Sequence, residues 1–182
     1  MKNIGFIGVG TMGLPMALNL LKNGHALSFY DPFADKKTIE ALTEVGAKQE
    51  NNIPDLCKKQ DFLISMLPIG KNVKDVALGE DGIINQDNTD LIYIDMSTIL
   101  PADSIEVSKQ LQTKNIQMFD APVARLVNNA IDGTLLIMVG GSLQDFPKVE
   151  EILNCMGSDV VYCGVIGSGS KMKIINNYMA IV

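Results

Sequence analysis

The chain predicts a doubly wound α/β fold, a mostly parallel Rossmann-type sheet with helices on both faces, and three observations carry that expectation. Apolar runs of strand length alternate with helix-compatible stretches from one end of the chain to the other. The runs Asp61 to Leu67 and Leu91 to Met96 are apolar almost throughout, as parallel strands covered on both faces require. Between the first strand and the first helix stands a glycine-rich turn, Gly8-Val9-Gly10-Thr11-Met12-Gly13. No repeat, low-complexity tract or flexible linker breaks the alternation.

Asn3 to Ile7 reads as the first strand, Leu14 to Lys22 as the first helix, stopped by Gly24, and Ala26 to Tyr30 as the second strand, ending at Asp31. This is a dinucleotide-binding βαβ start, and its glycines have separate physical tasks. Gly8 permits the turn, Gly10 lets the backbone approach a pyrophosphate, and Gly13 lets helix and strand pack closely. The helix N-terminus, with Thr11 and Met12 in the turn before it, offers unpaired N–H groups and partial positive charge to the phosphates. Pro15 sits in the first helical turn, where a missing N–H costs little. Asp31 places a carboxylate where ribose hydroxyls need an acceptor and would repel a 2′-phosphate, so the expected cofactor is NAD rather than NADP. The glycines and the proline also interrupt the apolar start, which therefore does not read as a secretory leader.

Further along, Ala34 to Val45 is an expected helix closed by Gly46, Ala47 to Glu50 a short strand, and Pro54 to Lys59 a short helix. The strand from Asp61 runs into Leu67-Pro68, and ligands of open α/β sheets bind beyond the carboxyl ends of strands, so Leu67 and Pro68 are candidate cofactor contacts. Val73 to Leu78 is an expected helix, Gly79 to Asp90 a loop, and the strand from Leu91 ends in Asp95-Met96-Ser97-Thr98. Pro101 to Gln112 is a helix with proline in its first turn, and Ile116 to Phe119 a strand leading into Asp120-Ala121-Pro122-Val123-Ala124-Arg125. Asn128 to Asp132 is helical or turn-like, Leu135 to Val139 a strand, and Ser142 with Asp145 offers an N-cap for a helix from Phe146 to Cys155. Val160 to Tyr162 is the last strand, and Gly167-Ser168-Gly169-Ser170 precedes a helix from Lys171 to Val182. On that helix Lys173, Asn176, Asn177 and Ala180 share a face.

A net charge of −6 with 15 scattered basic residues speaks against a nucleic-acid surface, and no stretch is apolar enough to cross a membrane. Cys57, Cys155 and Cys163 form no CxxC pair and leave an odd count, which suits reduced thiols in a cytoplasm and no metal site. His25, the only histidine, falls in a predicted surface turn, so a general acid or base has to come from elsewhere.

Four motifs in order, GFIGVGTMG at residues 5–13, DMST at 95–98, DAPV at 120–123 and GSGSKMKIINNYM at 167–179, resemble the β-hydroxyacid dehydrogenase family, which includes 3-hydroxyisobutyrate dehydrogenase. The resemblance implies an NAD-dependent oxidoreductase with Lys173 as catalytic acid/base, Asn177 on the substrate, and Ser97 and Thr98 beside the nicotinamide and substrate. It divides the chain into a dinucleotide-binding domain, 1–165, and the start of an inter-domain helix, 166–182. It implies a following all-helical domain that completes the cleft, and a homo-oligomer for the full-length protein. Most of the family reads DAPVSGG, with serine and two glycines on a substrate carboxylate, whereas this chain reads DAPVARL. Arg125 in place of a glycine suits a more strongly anionic group, and the surrounding residues look most like the sulfolactaldehyde reductase branch, with Asn176 and the turn to Ala180 helping to hold the sulfonate. The alternatives are a 3-hydroxyisobutyrate dehydrogenase, a tartronate semialdehyde reductase, an NAD-binding module without turnover, or an isolated fold fragment whose exposed apolar helix drives self-association. A buried lysine beside a cationic arginine is expected to titrate below its reference of about 10.4.

Overall fold

The computed structural model describes every residue except Thr89, Ile181 and Val182. The chain begins with β1 (Asn3–Ile7), α1 (Gly13–Lys22), β2 (Ala26–Tyr30), α2 (Lys36–Thr43) and β3 (Lys48–Gln49). It continues through α3 (Ile53–Cys57), β4 (Phe62–Ser65), α4 (Gly70–Leu78), a 3-10 turn at Ile83–Asn85, β5 (Ile92–Asp95), α5 (Pro101–Gln112) and β6 (Gln117–Asp120). The described chain ends with β7 (Val123–Ala124), α6 (Val127–Ile131), β8 (Leu135–Gly140), α7 (Phe146–Leu153), β9 (Gly157–Gly164) and α8 (Ser168–Met179).

Six strands are parallel in the order β3-β2-β1-β4-β5-β6, the doubly wound arrangement. The far edge is mixed. β8 lies antiparallel to β6 and β7, and β9 runs parallel to β8.

Alternation along the strands sends side chains to both faces, and each face has its own core. Phe6, Phe29, Ile64 and Ile94 pack with Met16 and Leu20 of α1, Leu42 of α2 and Ile152 of α7. Ile7, Leu63 and Tyr93 pack on the other side with Leu56 of α3, Ala77 of α4 and Val107 and Leu111 of α5. Fully burying each of the Val, Leu, Ile, Phe and Met side chains contributes roughly 1.5–3 kcal/mol of transfer free energy, so the layers hold by apolar burial.

Helix starts follow caps more than apolar pattern. Asp35 accepts from the Thr38 amide at 2.7 Å, so α2 begins at Lys36 rather than Ala34, and Asn52 accepts from the Asp55 amide at 2.7 Å, setting the start of α3. The expected Ser142 cap does not form. The Ser142 hydroxyl instead donates to the Asp145 carboxylate at 3.0 Å, and α7 begins without a side-chain cap. β9 is longer than predicted because pairing with β8 recruits Gly157 and Asp159, with Ser158 bulged between them, residues whose type hides them as strand residues. α8 begins at Ser168, three residues before its apolar pattern, and the last two residues of the expected helix lie outside those described.

The glycine turn has no slack. Gly8 takes φ +87°, and a Cβ on Gly13 would fall inside the van der Waals shell of the Gly8 carbonyl oxygen. Gly13→Ala should therefore cost on the order of 2–3 kcal/mol of unfolding free energy, read by urea denaturation, and weaken dinucleotide binding through displacement of the turn.

Candidate functional site

The site forms where the strand order reverses, at the carboxyl ends of β1 and β4. A groove of about 390 Å³ there is lined by Gly8, Gly10, Asp31, Leu67 and Pro68, and a second of about 380 Å³ continues over Thr11, Asp31 and Thr38. A separate hollow of about 470 Å³ lies at the amino-terminal end of β6 beside Gln117 and Val165 and contains none of the candidate residues.

The groove fits a dinucleotide on three counts. No side chain caps α1 and no acidic residue stands in its first turn; the Leu14 amide donates to the Gly10 carbonyl at 2.9 Å, and the positive end of the helix faces the groove without a competing carboxylate. A Cβ on exposed Gly10 would meet nothing within 4 Å, so the backbone there can be approached closely. Asp31 stands between the two grooves. Its Oδ2 accepts from the Val9 amide at 2.9 Å and its Oδ1 from the Phe33 amide at 2.9 Å. It thus braces the turn, and each oxygen retains a lone pair for a ribose hydroxyl. Thr11 is exposed, Met12 half-buried, and both flank the start of α1.

Across the groove, the turns after β4 and β5 are tied together. The Leu67 amide donates to Ser97 Oγ at 2.8 Å, Ser97 Oγ donates to Asp95 Oδ1 at 2.6 Å, and Ser65 Oγ donates to the same oxygen at 2.7 Å. Ser97 is only 1 % exposed, and with its proton given to Asp95 it has no donor left for a substrate. Thr98, one residue on, is exposed.

Asp120 places the candidate catalytic helix. It ends β6, and its two carboxylate oxygens accept from the Gly167 and Ser170 amides at 2.7 Å each, satisfying the first turn of α8 from a distant point in the chain. Gly167 is left-handed (φ +86°), and Ser170 Oγ meets Ser104 Oγ of α5 at 3.2 Å, which fixes the other side of that turn. One turn further along, Lys173 is half-buried, with no ion pair or hydrogen bond among the described residues, and burial holds its pKa below the ordinary lysine value. Asn176 beside it is half-buried, while Asn177 and Ala180 are exposed.

Arg125 departs from the expectation that it lowers the lysine pKa. Its Nη1 donates to the Thr134 carbonyl at 2.6 Å and to Ser158 Oγ at 3.0 Å, and its Nη2 pairs with Asp159 at 2.7 Å. The guanidinium charge is thus met by a carboxylate, and desolvation alone lowers Lys173. Three of the five guanidinium N–H groups are committed, which leaves the Nε–H and one Nη2–H for an anion. Its backbone is left-handed (φ +83°), a conformation that suits the glycine which the resemblance puts at this position.

Sequence reasoning passed over Ser65, Asp95, Asp120 and Asp159 as functional residues. The first three carried a readable signal. Each ends its strand directly after a fully buried apolar residue (Ile64, Ile94 and Phe119), and register aligns Ser65 with Asp95 and Asp95 with Asp120. His25 is half-buried rather than a surface residue and lies near Cys155 Sγ (3.5 Å), at the opposite end of β2 from Asp31. The three cysteines are free thiols, and burial pushes Cys57 up to about 12. No helix among the described residues is long and apolar enough to cross a membrane, and no cluster among them could hold a metal ion.

Fold and groove together define a dinucleotide-binding Rossmann domain. The chain belongs to the family described as the NAD binding domain of 6-phosphogluconate dehydrogenase, which matches residues 3–164. It is 41% identical over 181 residues to the 3-sulfolactaldehyde reductase of Escherichia coli K12, covering 100% of this chain and 60% of that one. It is also 41% identical over 176 residues to the mitochondrial 3-hydroxyisobutyrate dehydrogenase of Rattus norvegicus, covering 97% of this chain and 52% of the relative. The solved Mycobacterium tuberculosis 3-hydroxyisobutyrate dehydrogenase with L-serine superposes with a TM-score of 0.90 at 30% identity, over 99% of this chain and 60% of that one. The chain thus spans 60% or less of the length of these three proteins. Its relatives are β-hydroxyacid dehydrogenases, and its cofactor is a nicotinamide dinucleotide.

Burial pushes Asp95 up to about 6, against the hydrogen bonds from Ser97 and Ser65. The folded protein therefore keeps this proton at a pH where the unfolded chain has released it. The stability this contributes is present below about pH 4 and lost as pH rises through about 6, by on the order of 3 kcal/mol. Thermal melts across that window should show wild type losing ground relative to Asp95→Asn as pH rises.

Proposed function

We propose that this chain forms the cofactor half of an NAD-dependent β-hydroxyacid dehydrogenase and carries its proton donor. Its substrate in this reading is a small anionic aldehyde, 3-sulfolactaldehyde before the semialdehydes of carboxylic acids. The observation that carries the reading is Lys173, a half-buried amine with no partner among the described residues, on a helix anchored at the carboxyl end of the sheet. The chemistry the dinucleotide supplies when bound is hydride transfer to a carbonyl carbon. Gly8, Gly10, Thr11, Met12, Gly13 and Asp31 hold it from one side of the groove, and Leu67, Pro68 and Thr98 from the other. Lys173 donates a proton to the carbonyl oxygen as it becomes an alcohol, and desolvation favours that release by disfavouring the ammonium form. Asn177 orients the oxygen, and Asn176 contributes an amide to the anionic end.

Identity does not choose the substrate, since the two relatives are 41% identical alike. Arg125 supports the sulfonate: its two unengaged N–H groups suit an oxyanion, and Thr134, Ser158 and Asp159 fix the guanidinium so that little side-chain freedom is lost on binding. In this reading the full-length enzyme works in the cytoplasm as a homo-oligomer.

A second reading, a domain that binds dinucleotide without turnover, is favoured by the exposed apolar side chains of α8, among them Ile175, Tyr178 and Met179, which leave the substrate side open to water. NADH titration followed by an oxidation assay with sulfolactaldehyde, methylmalonate semialdehyde and tartronate semialdehyde separates the two. Binding without oxidation for any of the three favours the second reading.

Lys173→Ala should lower turnover by at least about a hundredfold while leaving the NADH dissociation constant within about twofold. Near-normal turnover would sink the assignment. Arg125→Gly should relax the left-handed backbone and move relative kcat/KM from sulfonated toward carboxylated aldehydes by about tenfold or more, and an unchanged ratio would refute the anion-reading role.

A further inference from the structure

Asp95 is fully buried, yet only one of its two oxygens is used. Oδ1 accepts from Ser65 Oγ, from Ser97 Oγ and, at 3.2 Å, from the Ser97 amide, whereas Oδ2 has no partner among the described residues. The bonds around it have one direction. Ser65 spends its only proton on Asp95, so the Tyr93 hydroxyl, 2.7 Å away, has to donate to Ser65. From the other side the Leu67 amide donates to Ser97 Oγ, which spends its own proton on Asp95. Two donor chains, one from the core and one from the groove, therefore end on a single oxygen.

We propose that Asp95 is a positioning residue for the dinucleotide site. By taking the hydroxyl protons of both serines, it fixes Ser97 Oγ as an acceptor facing the Leu67 amide and so holds the Leu67-Pro68 wall of the groove against the Ser97-Thr98 turn. Without that carboxylate, the Ser97 hydroxyl is free to rotate and present hydrogen where the amide needs a lone pair, and the two turns lose their tie. The unused Oδ2 is where a proton can sit while Oδ1 goes on accepting more weakly, so the tie is graded by protonation rather than broken. The ionisable groups facing Asp95 are Tyr93 of β5, through Ser65, and Asp120 of β6; β4 and the turns contribute only Ser65, Ser97 and the Leu67 amide. The inference rests on dinucleotide binding alone, and its test contains no aldehyde, so it stands or falls apart from the substrate reading.

The experiment titrates NAD+ into the 182-residue chain and its variants calorimetrically, well below their melting midpoints, and follows hydrogen exchange of the Leu67 amide. At temperatures where every variant is folded, mere loss of stability leaves the dissociation constant unmoved. Ser97→Ala should raise that constant about tenfold and release the Leu67 amide to exchange. Asp95→Asn, a mimic of the protonated acid, should weaken binding about threefold near pH 8, and wild type should converge on it as pH falls through about 6. The double variant should bind no more weakly than Ser97→Ala, because both changes cut one chain. A Ser97→Ala constant within about twofold of wild type, with the Leu67 amide exchanging freely, would overturn the proposal, as would a wild-type to Asp95→Asn difference that ignores pH. Should Asp95→Asn fail to fold, Ser97→Ala and the amide exchange decide alone.

Discussion

The carboxylate of Asp120 is the contact on which the far half of the site depends. Its two oxygens take the Gly167 and Ser170 amides, so a buried negative charge and the unsatisfied start of a helix partly offset each other's cost. Burial still raises its pKa, which says that the amides compensate desolvation incompletely. The approach has to be close. Side chains on Gly140 or Gly169 would collide with Asp120 and its neighbours, so the strand, the acid and the helix entry specify one another. Lys173 inherits its direction from that junction.

Ser65, Asp95 and Asp120 form a register-matched row across the carboxyl ends of β4, β5 and β6. Below them the sheet is apolar on both faces and held by volume; above them the chain turns, and position is held by direction. A hydrogen-bonded row is the economical boundary, since each member closes one core column and anchors one segment of the site. Its cost is two carboxylates on neighbouring strands in low dielectric, and Asp120 accordingly adds to the rise in Asp95.

How much of this was legible follows from the range of the forces involved. The βαβ start was readable because Gly8, Gly10, Gly13 and Asp31 act on each other within one turn and one strand, and the doubly wound, mostly parallel class followed from alternation and apolar runs. Helix limits were less legible at Asp35 and Asn52, where a single cap decides the boundary. Arg125 was visible as an oddity in a motif, but its pairing with Asp159, 34 residues away and on a strand predicted to begin later, was not. Ser97 shows the opposite case. The motif drew attention to it, and its hydroxyl is committed to Asp95 only two residues back, whereas the Leu67 amide that it receives comes from 30 residues away, across a strand pairing that spacing along the chain does not encode.

In the proposed reading, where Arg125 holds the anionic end of the substrate, its left-handed backbone bears on how substrate preference diverges. At φ +83° a glycine sits without strain and any other residue costs roughly 1 kcal/mol, so the loop already has the shape that a glycine-bearing relative would use. A switch between a bare-amide cradle and a guanidinium therefore requires no rebuilding of the main chain, only one codon and acceptance of a small conformational penalty. Asp159, Ser158 and the Thr134 carbonyl then act as the ratchet on that step, because a guanidinium steadied by three partners is easier to keep than one left to swing in water.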